Sequence, residues 1–184
     1  MGKTAGSVIA ATDVYYGRSR AIGGLVLFEE WTSEQPVEEL REFIENVAPY
    51  KPGSFFRREL PCLLKLLDRV RGRFDLVIID GHVWLGAENR PGLGAHLYGA
   101  LQERVPVIGV AKSPFKESPN AQQVFRGRSR RPLYVTAAGV DPSWAARNIE
   151  RMHGQHRIPR LLKRVDRLCR SASDCCPAIS LSEK

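Results

Sequence analysis

Three observations predict an α/β layered fold with a mixed β-sheet flanked by helices. Asp75-Leu76-Val77-Ile78-Ile79-Asp80 is an unbroken apolar run that ends in an acid followed by glycine, as a strand buried on both faces does. A second apolar run, residues 105–111, follows a helical stretch at 94–104. Two β-rich runs open the chain, and two basic helices close it. Strands followed by alternating helices and strands are the pattern of a sheet covered by helices.

The opening runs are residues 8–16 and 24–28, joined by a Gly/Arg/Ser turn, and they read as a hairpin. Val37, Leu40, Phe43, Ile44 and Val47 then recur at helical spacing with acids between them, which predicts an amphipathic helix that stops before Pro49. A further helix is expected through residues 62–67, and Leu133-Tyr134-Val135-Thr136 reads as a short strand. The two closing helices are expected at 142–153 and 160–170, the first with Asp141 as N-cap and Pro142 as its first residue. Residues 1–170 read as a single domain and 171–184 as a disordered tail.

With 184 residues, 43% of them hydrophobic, the chain can bury one core and little more. No apolar run approaches the roughly 20 residues of a membrane helix, and the N-terminal residues do not form a secretory signal, so a soluble, cytoplasmic protein is expected. Cys62, Cys169, Cys175 and Cys176 have no metal-site or disulfide spacing and read as free thiols. His82, His96, His153 and His156 lack the spacing of a zinc site. The net charge is +8, and between Arg126 and Arg170 twelve Lys/Arg face three acids. That excess marks the C-terminal quarter as a phosphate-facing surface, the alternative being a solvated helix face without a partner.

Three acids stand in apolar company: Asp13 inside the first strand, Glu59 after the irregular Gly-Ser-Phe-Phe segment, and Asp80 at the end of the central strand. A carboxylate among Ile, Val and Phe is costly unless it is paired or binds a cation. Asp80-Gly81 could instead form a turn and Asp13 face solvent. Hard divalent cations take oxygen ligands and flank a phosphate undergoing in-line displacement, which gives these acids a chemical reason.

Thr12-Asp13-Val14-Tyr15-Tyr16, then Pro49-Tyr50-Lys51-Pro52-Gly53 leading to Phe56-Arg57-Arg58-Glu59, then Ile79-Asp80-Gly81, then Ile108-Gly109-Val110-Ala111-Lys112, resemble in order the successive motifs of the endonuclease V family. Pro132-Leu133-Tyr134-Val135-Thr136 and His156-Arg157-Ile158-Pro159 continue the similarity, which spans roughly residues 7–170. The resemblance implies a ribonuclease H-like core that incises nucleic acid, DNA ahead of RNA, near a deaminated purine such as inosine. It implies Mg²⁺, with Mn²⁺ as a substitute, on Asp13, Glu59 and Asp80, and Lys112 near the reacting phosphate; a lysine snorkelling from a strand end is the other reading of Lys112. It places a base-replacing wedge on Pro49, Tyr50 and Gly53, where Tyr50 could also be a packed loop aromatic. Gly81, His82 and Gly109 fall near its base pocket. A monomer is expected.

The chain also departs from that pattern. The family's Gly-His after the Pro-Leu-Tyr-Val strand is replaced by Ala137-Ala138-Gly139-Val140-Asp141, so Asp141 is a candidate fourth metal carboxylate as well as an N-cap. Its His-Pro-Arg segment is replaced by Gly86-Ala87-Glu88-Asn89-Arg90-Pro91, and its long insertion is reduced to residues 113–131. Arg126, Arg128, Arg130 and Arg131 are expected to supply a short phosphate-binding loop in its place. The alternatives to a lesion-directed nuclease are a catalytically impaired nucleic-acid-binding protein of the same fold and a structure-specific nuclease.

Overall fold

The computed structural model describes residues 7–17, 20–45, 55–115 and 119–171. Its centre is a seven-stranded sheet with strand order β3-β2-β1-β4-β7-β9-β8. β1 (Ile9–Tyr16), β2 (Ala21–Phe28) and β3 (Glu38–Ile44) form an antiparallel meander. β4 (Leu76–Asp80) and β7 (Val107–Ala111) run parallel to β1, and β9 (Leu133–Ala138) and β8 (Gln122–Val124) close the sheet antiparallel. A two-residue hairpin, β5 (Trp84–Leu85) with β6 (Arg90–Pro91), sits apart.

Alternation along the strands divides the core in two. Ala10, Val14, Val77 and Ile79 point to the face covered by α1 (Phe55–Asp68) and α2 (Leu93–Ala100), where Leu63, Leu66 and Leu97 bury them. Ile9, Ala11, Ile78 and Ile108 point to the face covered by α3 (Pro142–Arg151) and α4 (Arg160–Arg170), against Ala145, Ile149, Leu161 and Val165. Gly24 lets α4 come close, because a Cβ there would stand 2.7 Å from the Cys169 sulfur. Cys62 and Cys169 are buried free thiols. Among the described residues no helix is long and apolar enough to cross a membrane.

The helix expected across residues 37–47 is not formed: residues 38–44 are the edge strand β3. Its backbone pairs with β2 from Leu27↔Glu38 to Ala21↔Ile44. Val37 and Phe43 remain exposed, while Leu40 and Ile44 pack toward the core from one face of the strand, so the apolar spacing serves an edge strand rather than a helix. Two other elements differ in length. α1 begins seven residues before Cys62 and carries Pro61 inside it, and α2 ends at Ala100 rather than 104.

Candidate active site

The parallel register fixes the first two acids. Thr12 pairs with Ile79 across β1 and β4, so the next residues, Asp13 and Asp80, are neighbours at the same end of the sheet. Both follow the alternation of Ile9, Ala11 and Ile78 and point to the α3/α4 face. Lys112 directly follows β7, the strand parallel to β4, and its Nζ lies 2.6 Å from Asp80 Oδ2. Asp13, Asp80 and Lys112 line one cavity of about 250 Å³ between the strand ends and α4. Arg157 holds Lys112 from behind: its Nη2 donates to the Lys112 carbonyl and, at 2.7 Å, to that of Pro132.

A fourth carboxylate lines the same cavity, Asp166 of α4. Its Oδ1 accepts from Arg170 Nε at 2.9 Å. α4 is stitched to β1 by the Cys169 thiol, which donates to the Asp13 carbonyl at 3.2 Å. Glu59 arrives from the other face of the sheet. It sits on the second turn of α1, is only 5% exposed, and its Oε2 has no hydrogen-bond partner.

Burial and crowding both act against charge at Asp13 and Glu59. Burial raises the Asp13 carboxyl to about 6; the charges of Asp80 and Asp166 add to the rise, while the Val14 amide and Lys112 oppose it. Burial also lifts Glu59, to about 8, helped by Asp13 and Asp80 and opposed by Arg58. Lys112 is shifted up: burial works against its charge, but the hydrogen bond and charge of Asp80 outweigh it. The ammonium of Lys112 is thus the cation that Asp80 holds in this structure. Among the described residues no three His, Cys, Asp or Glu side chains are arranged as they stand to hold a metal ion. The donor set nevertheless fits a hard cation, being all carboxylate oxygen and including a buried oxygen that nothing satisfies.

The sequence profile of endonuclease V matches residues 2–167 of this chain. The chain belongs to the endonuclease V family. The endonuclease V of Streptomyces avermitilis is 31% identical over 89% of this chain and 80% of its own length. That of Rhodospirillum centenum is 34% identical over 64% of this chain, but the match spans only 56% of that protein. A solved structure of Ciona intestinalis endonuclease V, in complex with a 23mer DNA containing an inosine followed by a ribo-adenosine, superposes with a TM-score of 0.76. It is 18% identical, with 91% of this chain and 86% of that one covered. The fold is therefore the ribonuclease H-like fold of endonuclease V.

Pro49, Tyr50 and Gly53 lie outside the described residues. Gly81 has φ +141° and open space where a side chain would stand. Gly109 does not offer room for a base: a Cβ there would come within 2.6 Å of the Gly81 carbonyl and 2.9 Å of the Val83 amide, so the chain's own loop fills the space. His82 anchors that loop through a contact of 3.1 Å between Nε2 and the Ser113 carbonyl, while its buried Nδ1 has no partner. Asp141 is outside the cavity lining, and its Oδ1 accepts from the Trp144 amide at 2.7 Å, so it serves as the α3 N-cap rather than a fourth ligand.

Arg126, expected in the phosphate-binding loop, points inward instead. It is 5% exposed and its guanidinium donates to the carbonyls of Glu150, Met152, Gly154 and His156. Those groups are the end of α3 and the turn after it, so Arg126 closes the fold and has no surface to offer a phosphate. Arg128, Arg130 and Arg131 stay exposed. Asp166 was missed because it reads as one acid in a basic helix. The available signal was its spacing: it lies four residues after Leu162 and three before Cys169, on the helix's apolar stripe rather than its charged side.

Proposed function

We propose that this protein is a magnesium-dependent endonuclease that hydrolyses a phosphodiester bond near a deaminated purine, with inosine in DNA as the first substrate, in nucleic-acid repair. It would act as a soluble monomer. The observation that carries this reading is the gathering, at one end of the sheet, of Asp13, Asp80 and Asp166 in one cavity with Lys112, beside a buried Glu59 whose oxygen lacks a partner. Family membership and the inosine-containing DNA bound by the Ciona intestinalis protein support the substrate class.

Asp13, Asp80 and Glu59 would hold the cation, with Asp166 beside them. Bound there, a hard divalent ion neutralises charge that builds on the phosphate and makes a water nucleophilic at neutral pH. Glu59 and Asp13 must then give up protons that burial and repulsion favour in its absence. Lys112 stands where its ammonium can leave Asp80 for a phosphate oxygen and stabilise the transition state. Arg157 keeps the Lys112 backbone in place while that side chain moves.

A second reading, a nuclease of the same core without lesion preference, draws on the filled space at Gly109. The two separate in one experiment. Inosine-containing and matched undamaged strands, as DNA and as RNA, are incubated with and without Mg²⁺. The first reading expects Mg²⁺-dependent cutting near inosine only, and Asp80→Asn to lower that rate by about a thousandfold or more. Equal cutting of undamaged strands favours the second. Unchanged cutting by Asp80→Asn in nuclease-free preparations rejects this site for either.

A further inference from the structure

The exposed side of α4 carries five cations, Arg160, Lys163, Arg164, Arg167 and Arg170, and the structure does not use them alike. Arg164 is spent on Glu39, with contacts of 2.5 and 3.0 Å. Arg170 is held by Asp166 at 2.9 Å. Arg160 faces Glu34 at 3.7 Å, as does His153, so one acid partly offsets that end. Among the described residues, Lys163 and Arg167 have no carboxylate within ion-pair distance.

Lys163 and Arg167 both line a polar groove of about 440 Å³ between α4 and the 153–156 turn. That groove runs into the cavity holding Asp13, Asp80 and Asp166, because His156, Ile158 and Lys163 line both. From Arg160 to Arg167 the helix advances about 10 Å at 1.5 Å per residue, room for more than one phosphate of an extended strand. The turn that forms the groove's other wall is the one fastened by Arg126, so the wall is built rather than loose.

We infer that this groove binds the phosphate backbone of single-stranded nucleic acid flanking the cleaved bond, with Lys163 and Arg167 as its phosphate contacts. The inference rests on the nuclease reading and gives the site a direction: a strand leaving the acids passes along α4. A single strand fits because its backbone can bend into a groove beside a buried cavity, whereas a duplex presents a broader, stiffer surface.

The test is fluorescence anisotropy of labelled oligothymidylate, about twenty nucleotides long, titrated in EDTA across a range of salt. Lys163→Glu with Arg167→Glu should weaken binding at least tenfold and flatten the log–log salt slope by about 1.4, at roughly 0.7 per phosphate contact on a single strand. The Lys163→Gln, Arg167→Gln pair should flatten it equally and guards against a folding defect. Arg71→Glu with Arg104→Glu makes the same charge change just before β4 and β7, at the opposite end of those strands from Asp80 and Lys112, and should leave the slope unchanged. An unchanged slope in both groove variants, or an equal loss in the Arg71/Arg104 pair, overturns the groove. Cutting of an inosine-containing strand with Mg²⁺ is scored separately. Binding along α4 without cutting would reject the nuclease reading alone, and cutting with unaltered slopes would reject the groove alone.

Discussion

The two faces of the sheet treat acidic groups differently at the same end of the molecule. On the α3/α4 face, Asp13, Asp80 and Asp166 open into a cavity and two of them meet a cation, Lys112 for Asp80 and Arg170 for Asp166. On the α1/α2 face, Glu59 is sealed in, with an unsatisfied oxygen. Within the first group burial still raises Asp13, to about 6, so that it gains its charge only as pH rises past that value. The second is kept neutral by burial, at about 8, until something removes its proton. A site divided this way resists charging when empty, and its two halves should respond to pH in the same direction but over different ranges, Asp13 up to about 6 and Glu59 up to about 8.

The largest structural effect is expected away from both groups, at Arg126. Arg126→Ala would leave five backbone carbonyls of the α3 end and its turn, those of Glu150, Met152, Gly154, His156 and Arg157, without their donor, a loss of about 3 kcal/mol in denaturant unfolding. Replacing exposed Arg128, Arg130 and Arg131 with Ser should change stability by under about 0.5 kcal/mol. Equal costs would remove the distinction between a buried fastening and a surface loop.

Glu59→Gln sharpens the comparison of faces. Glu59 titrates near its ordinary 4.5 when unfolded and near 8 when folded, so the folded state holds the proton more tightly. Its contribution is fully present below about pH 4.5 and is lost as pH rises through about 8. Without metal, the wild-type melting temperature should fall by more than about 5 °C between about pH 5 and pH 8, with Asp13 adding to the fall up to about 6. The Gln variant should be markedly flatter over that window. A wild-type curve that rises over the same range would show that Glu59 is not held neutral. Asp141→Ala should cost about 1 kcal/mol from the lost α3 cap with Mg²⁺-dependent cutting kept; loss of cutting would restore Asp141 to the site.

Much of this was legible in the sequence, for specific reasons. β4 and β7 were readable because strands buried on both faces need continuous apolar runs, and α4 begins and ends where its expected range does, between Pro159 and the tail. β3 was not, because the apolar residues it turns toward the core, Leu40 and Ile44, lie four apart, a spacing that a strand and a helix share. The start of α1 was hidden because proline disfavours a helix interior, yet Pro61 lies inside this one, ahead of the 62–67 stretch that showed as helical. Of the site, the acids at strand ends showed themselves by their apolar neighbours. Asp166 and the structural role of Arg126 did not, because both depend on which side of a charged segment faces inward.

The most direct test of the central claim is a thermal melt against Mg²⁺ concentration for wild type, Asp13→Asn, Glu59→Gln and Asp80→Asn. If these acids hold a divalent cation together, the wild-type melting temperature rises with the logarithm of Mg²⁺ above saturation, and each substitution removes most of that rise. Asp80→Asn, which also frees Lys112, should start from a different metal-free value yet respond least. The same Mg²⁺ response in all four proteins would contradict the claim that these carboxylates form one metal site.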